Sequence, residues 1–128
     1  MRPHRDRGPR PVDRGSVTAE AAVALPALLL VLAVLIGALN LALAQIRCVD
    51  AARIAARGVA RGESGGTSGD QARSAAPPGA TVRISRGGDL VQVEVSVRLR
   101  PVKHLPLPAV LVRGTANALV EAEPLAGH

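Results

Sequence analysis

Residues 21–44 read AAVALPALLLVLAVLIGALNLALA, and the six before them, Gly15-Ser16-Val17-Thr18-Ala19-Glu20, end in a carboxylate. The apolar run has twenty-four residues, no Asp, Glu, Lys or Arg, and one markedly polar side chain, Asn40. As a helix it rises about 36 Å, against a hydrocarbon core of roughly 30 Å. A buried helix of a soluble protein is seldom so long and so uniformly apolar, so a transmembrane helix is expected here. Glu20 stands at its mouth, where an ionised side chain is costly without a partner or an aqueous edge.

Upstream lies a basic segment with Arg2, Arg5, Arg7, Arg10 and Arg14 against Asp6 and Asp13. Five arginines less two aspartates give residues 1–15 a charge of +3, half of the formal +6 of the chain. Such a segment is expected to stay cytoplasmic, leaving the C-terminal part outside. Arg47, Arg53, Arg57 and Arg61 follow the span closely and reduce the asymmetry. A conventional secretory signal peptide competes with this reading. Its apolar region is normally about 7 to 15 residues long, shorter than the run here. An Ala-x-Ala site near Leu41-Ala42-Leu43-Ala44 remains open, and cutting there gives a mature start near Gln45.

The order of basic leader, Gly15, four small or hydroxyl-bearing residues or valine, Glu20 and a long apolar helix resembles the class III signal sequence of type IV pilin-like proteins. It is most similar to the TadE-like minor pilins, or pseudopilins, of tight-adherence (Flp-type) systems. Pro26 early in the apolar run and a small distal module with strand-like patterning fit that group as well. The resemblance implies a prepilin peptidase that cuts between Gly15 and Ser16 and leaves the apolar helix in the mature protein. It further implies other pilin-like subunits, a Tad-type inner-membrane platform and a secretion ATPase as partners. Major Flp pilins usually place a tyrosine after the glutamate, whereas this chain has Ala21 and no aromatic residue. That departure favours a minor component over the filament-forming subunit.

Removing the leader creates an amine on Ser16 within one or two turns of Glu20. In a packed bundle such an amine tolerates a carboxylate by pairing with it, and the resemblance implies that Glu20 registers one subunit against a neighbour. The alternative leaves Glu20 in the headgroup layer, complementing the helix dipole. Pro26 takes one backbone donor from the helix and frees the carbonyl of Ala22, so a kink is expected. Ala33 and Gly37, one turn apart, offer room for a close helix, although alanine is too frequent in the run for this to discriminate.

Residues 45–61 are expected to carry the helix beyond the membrane, since Ala51, Ala52, Ala55 and Ala56 favour helix. Arg53, Arg57 and Arg61 form one stripe, read either as a solvated face or as a contact for lipid headgroups or acidic neighbours. Gly62 and Ser64-Gly65-Gly66-Thr67-Ser68-Gly69 are expected to end the helix in a flexible hinge, with one or two helical turns over residues 70–76. Val91, Val93, Val95, Val97 and Leu99 alternate with polar residues as a strand with one wet face. Residues 81–85 are its expected partner through a Gly87-Gly88 turn, and residues 111–123 form a third strand or, over 116–122, a helix. Pro101, Pro106 and Pro108 keep the connection irregular and surface-lying.

The expected fold is thus α+β: a long N-terminal transmembrane helix extended beyond the membrane, then a small antiparallel sheet of two or three strands. The expected divisions are a leader at 1–15, helix at 16–61, linker at 62–80, β module at 81–123 and tail at 124–128. A module this small has a marginal core of its own, so the sheet is expected to lie on residues 45–61.

Catalysis is not expected. Cys48 is the single cysteine, which excludes an internal disulfide and a cysteine-based metal cluster, and leaves an inert small residue, a palmitoylation site or an intermolecular bridge. His4, His104 and His128 are scattered without ligand spacing, and Ser16 and Thr18 lack a nearby base motif. No cofactor, metal or small-molecule substrate is expected. Nucleic-acid binding is disfavoured, because no aromatic residue is available for base stacking.

Overall fold

A computed structural model describes residues 13–120 and Pro3. The rest of the expected leader, with His4, and residues 121–128, with His128 and the end of the expected β module, lie outside the described residues. The fold is α+β, in the order α1 (Asp13–Ala60), α2 (Gly65–Ala75), β1 (Thr81–Gly87), β2 (Leu90–Leu99) and β3 (Val110–Leu119).

Helix α1 runs for 48 residues and stays helical through Pro26. It stops at a glycine C-cap. Gly62 has φ +89°, its N–H bonds the Val59 carbonyl at 3.0 Å, and the Glu63 N–H bonds the Gly58 carbonyl at 3.0 Å. These two bonds are the Schellman pattern, which needs the left-handed backbone that glycine adopts without a Cβ clash.

Ser64, expected within a hinge, instead starts α2. Its Oγ accepts the Thr67 N–H at 3.1 Å, satisfying one of the open donors of a first helical turn. The glycines that suggested a flexible joint therefore lie inside a capped helix, which seats Ser68 and Ala72 out of solvent. At Gly58 a Cβ would meet Ser68 Oγ and come within 2.8 Å of Glu63 Oε2, so the absent side chain is what lets α2 close on α1.

The sheet is antiparallel with order β1-β2-β3. Gly87 pairs with Leu90 across a two-residue Gly88-Asp89 turn, one position later than the expected Gly87-Gly88. Gly88 carries the positive φ, +61°, that the first position of a type II′ hairpin turn demands. Over residues 116–119 the strand-or-helix alternative falls to strand, because Val112, Gly114, Ala116 and Ala118 all turn inward beside β2, while residues 121 and 122 lie outside the described residues.

The core is a valine face on an alanine face. Val91, Val93, Val95 and Val97 of β2 and Val112 of β3 pack on Ala44, Cys48, Ala51, Ala52, Ala55, Ala56 and Val59 of α1. Seven of the thirteen buried apolar residues thus belong to the helix, and without it the sheet has no second layer. Such small side chains bring the backbones close. A Cβ on Gly114 would fall within 2.6 Å of the Cys48 carbonyl oxygen and still nearer to the Cys48–Val49 peptide. Beside it, Gln45 Nε2 donates to the Arg113 carbonyl at 2.7 Å.

Candidate functional site

The N-terminal end of α1 brings the sequence-selected residues onto one helical segment. Gly15 and Ser16 lie in its first turns and are exposed, and a Cβ at Gly15 would meet nothing within 4 Å. Thr18 Oγ1 donates back to the Arg14 carbonyl at 3.0 Å, closing this part of the helix locally. Ser16 and Glu20 are four residues apart, hence on the same face and separated by about 6 Å of rise. Glu20 is exposed, and no basic side chain among the described residues pairs with it.

Beyond Glu20 the helix surface is almost wholly apolar. Leu25 is 60% exposed, Leu29 63% and Leu35 61%, and the exposed series continues from Val17 to Ile46. Soluble monomers leave patches of only a few hundred Å² of this kind. Among the described residues, one helix is therefore long and apolar enough to cross a membrane.

The arginine stripe is exposed. Arg53 approaches Asp50 at 3.8 Å with both side chains more than half exposed, while Arg61 donates to Glu63 Oε1 at 2.9 Å. Cys48 faces the other way and is fully buried against the sheet. Burial pushes its thiol above the ordinary range, which suppresses the thiolate that reacts. Iodoacetamide should therefore leave Cys48 unmodified in the folded, detergent-solubilised chain and modify it fully in urea. Equal alkylation rates in both states, read by intact mass, would contradict this packing.

Among the described residues, no group of three or more His, Cys, Asp or Glu side chains is placed to hold a metal ion. Sequence reasoning missed Gly114 and Gly58, whose role is to be small at a helix contact. It also missed where the β2–β3 connection goes. A Cβ on Gly37 would lie 3.1 Å from the Pro101 carbonyl oxygen, so this small position admits the proline-rich connection and not a second helix.

The profile of the TadE-like protein family matches residues 15–57, from the glycine before Ser16 through most of α1. The chain is 37% identical over 105 residues to the apoptosis inhibitor Rv3655c of Mycobacterium tuberculosis, covering 82% of this chain and 78% of that protein. No solved structure matches.

Proposed function

The chain belongs to the TadE-like family, and on that premise we propose that it is a minor pilin or pseudopilin, a membrane-anchored structural component of a Flp/Tad-type pilus assembly or secretion system. The observation that carries this reading is the placement of Gly15, Ser16 and Glu20 at the mouth of the apolar helix, where the family match begins. In this reading a prepilin peptidase hydrolyses the Gly15–Ser16 bond. One water is consumed, Gly15 leaves as a carboxylate and Ser16 keeps a protonated amine. The apolar helix remains as a single-pass anchor, with its N-terminus cytoplasmic and the sheet outside.

The part is structural and non-enzymatic in this proposal. Its partners are the peptidase, other pilin-like subunits and the inner-membrane platform that works with a secretion ATPase. Exposure of Gly15 and the open space around it support access by a peptidase. The exposed arginine stripe and the sheet seated above the span support a rigid head held at the membrane.

Intact mass of membrane-extracted protein tests the proposal. From cells with an active prepilin peptidase the chain should begin at Ser16, and Gly15→Leu should restore the leader mass in full. A chain starting at Met1 points to an uncleaved single-pass envelope protein whose outer domain binds another protein. A start near Gln45 points to release by ordinary signal peptidase, and either result sinks the pilin assignment.

A further inference from the structure

We propose that the β2–β3 connection, residues 100–109, is a second membrane contact, in which Val102, Leu105 and Leu107 enter the leaflet where α1 emerges while Arg98, Arg100 and Lys103 face anionic lipid phosphates. The inference rests on α1 spanning the bilayer and goes beyond the family assignment.

Position carries the first part of it. A span that starts after Glu20 needs about 20 residues to cross the hydrocarbon, which puts its far boundary near Asn40. The connection does not stay above that level. Pro101 rests on Gly37, and a cleft of about 260 Å³ is lined on one side by Leu30, Val34 and Ala38 and on the other by Val102, Leu105 and Leu107. Ala33, Ile36 and Asn40 share a second cleft, about 510 Å³, with Arg100, Lys103 and His104. The connection thus lies beside the part of α1 whose outer surface is lipid-facing.

Composition carries the second part. Between Glu94 and Glu121 there are four basic residues and no acidic one, and three of the four, Arg98, Arg100 and Lys103, lie at or beside the connection. All three are exposed. Basic side chains are drawn to an anionic surface, and their long stems allow the charge to reach the phosphate level while the backbone sits lower.

Backbone chemistry fixes the depth. Pro101, Pro106 and Pro108 have no N–H to satisfy, and the Leu107 N–H bonds the Leu105 carbonyl at 2.8 Å. The Leu105 N–H bonds the Val102 carbonyl at 3.4 Å, so residues 105–108, the part of the connection facing Leu30 and Val34, keep no free N–H. The donors of residues 102–104 and Ala109 need the hydrated boundary layer, because irregular backbone exposed to lipid tails has no partner there.

The test uses the full chain in vesicles of phosphatidylcholine with or without phosphatidylglycerol, with buried Cys48 left in place. An environment-sensitive fluorophore is attached at Leu105→Cys, with Leu29→Cys as the label within the span and Arg83→Cys as the aqueous label. The Leu105 label should emit to the blue of the Arg83 label and be quenched by lipids carrying a shallow nitroxide. Neutralising Arg98, Arg100 and Lys103 to Gln should weaken that quenching in the anionic vesicles and leave it unchanged in phosphatidylcholine. An aqueous Leu105 label beside a lipid-quenched Leu29 label overturns the proposal while sparing the span. An aqueous Leu29 label removes the span itself and the proposal with it, and equal effects of neutralisation in both lipids overturn the role of the charges.

Discussion

Gly114→Val should strip the sheet from α1. Intrinsic preference points the opposite way, since valine is favoured over glycine in a strand by up to about 1 kcal/mol. Here the added carbons run into the Cys48–Val49 backbone, which has no rotamer to change. Overpacking typically costs about 1–3 kcal/mol even where side chains can shift, so with a helix backbone as the obstacle the penalty belongs at the upper end or beyond. Because the module takes half its core from α1, partial separation exposes the valine face of β2 as a whole. Hydrogen exchange on the detergent-solubilised chain should show β2 and β3 losing protection while residues 21–44 keep theirs. Thr115→Val, on the exposed face beside it, is the control and should be close to neutral. Greater protection in Gly114→Val would refute the close-approach account.

Incorporation of the subunit into the pilus machinery should fall by at least about a hundredfold in Glu20→Ala, with leader removal intact, because breaking a buried ion pair costs about 3–5 kcal/mol. The size of the effect separates the two readings of this carboxylate. If Glu20 only complements the helix dipole from the headgroup layer, the loss is about 0.3–1 kcal/mol, or less than roughly sixfold. Glu20→Gln keeps the shape and removes the charge, so under the pairing role it should fail like alanine. The ratio of assembled to membrane-resident subunit, with intact mass confirming a Ser16 start, reads the outcome. A change within a few-fold assigns Glu20 to the interface and not to a partner.

What the sequence disclosed was governed by periodicity. The uninterrupted apolar run and the strict alternation from Val91 to Leu99 each have a single economical reading, and both elements lie where that pattern puts them. Residues from 116 onward are ambiguous in sequence because alanine at 116 and 118 favours helix on its own and enters a strand only when a valine strand waits beside it. The start of α2 was hidden by composition. Glycines at 65, 66 and 69 read as a hinge, whereas packing of Ser68 and Ala72 on α1 overrides their poor propensity. At the candidate site, the spacing of Ser16 and Glu20 was legible because helix geometry alone fixes it. Gly37 and Gly114 were not, since a residue selected for what it lacks shows its meaning only when its neighbour is known.

The same uninterrupted α1 holds Glu20 at one end and the seat of the sheet at the other. The compass bearing of the head about the helix axis, relative to that carboxylate, is therefore counted in residues. Adding one alanine after Leu28 would swing the head by about 100° and raise it about 1.5 Å, whereas adding seven would nearly restore its heading on a longer stalk. Any assembly that grips this subunit by both ends thereby reads the length of its apolar rod as an angle.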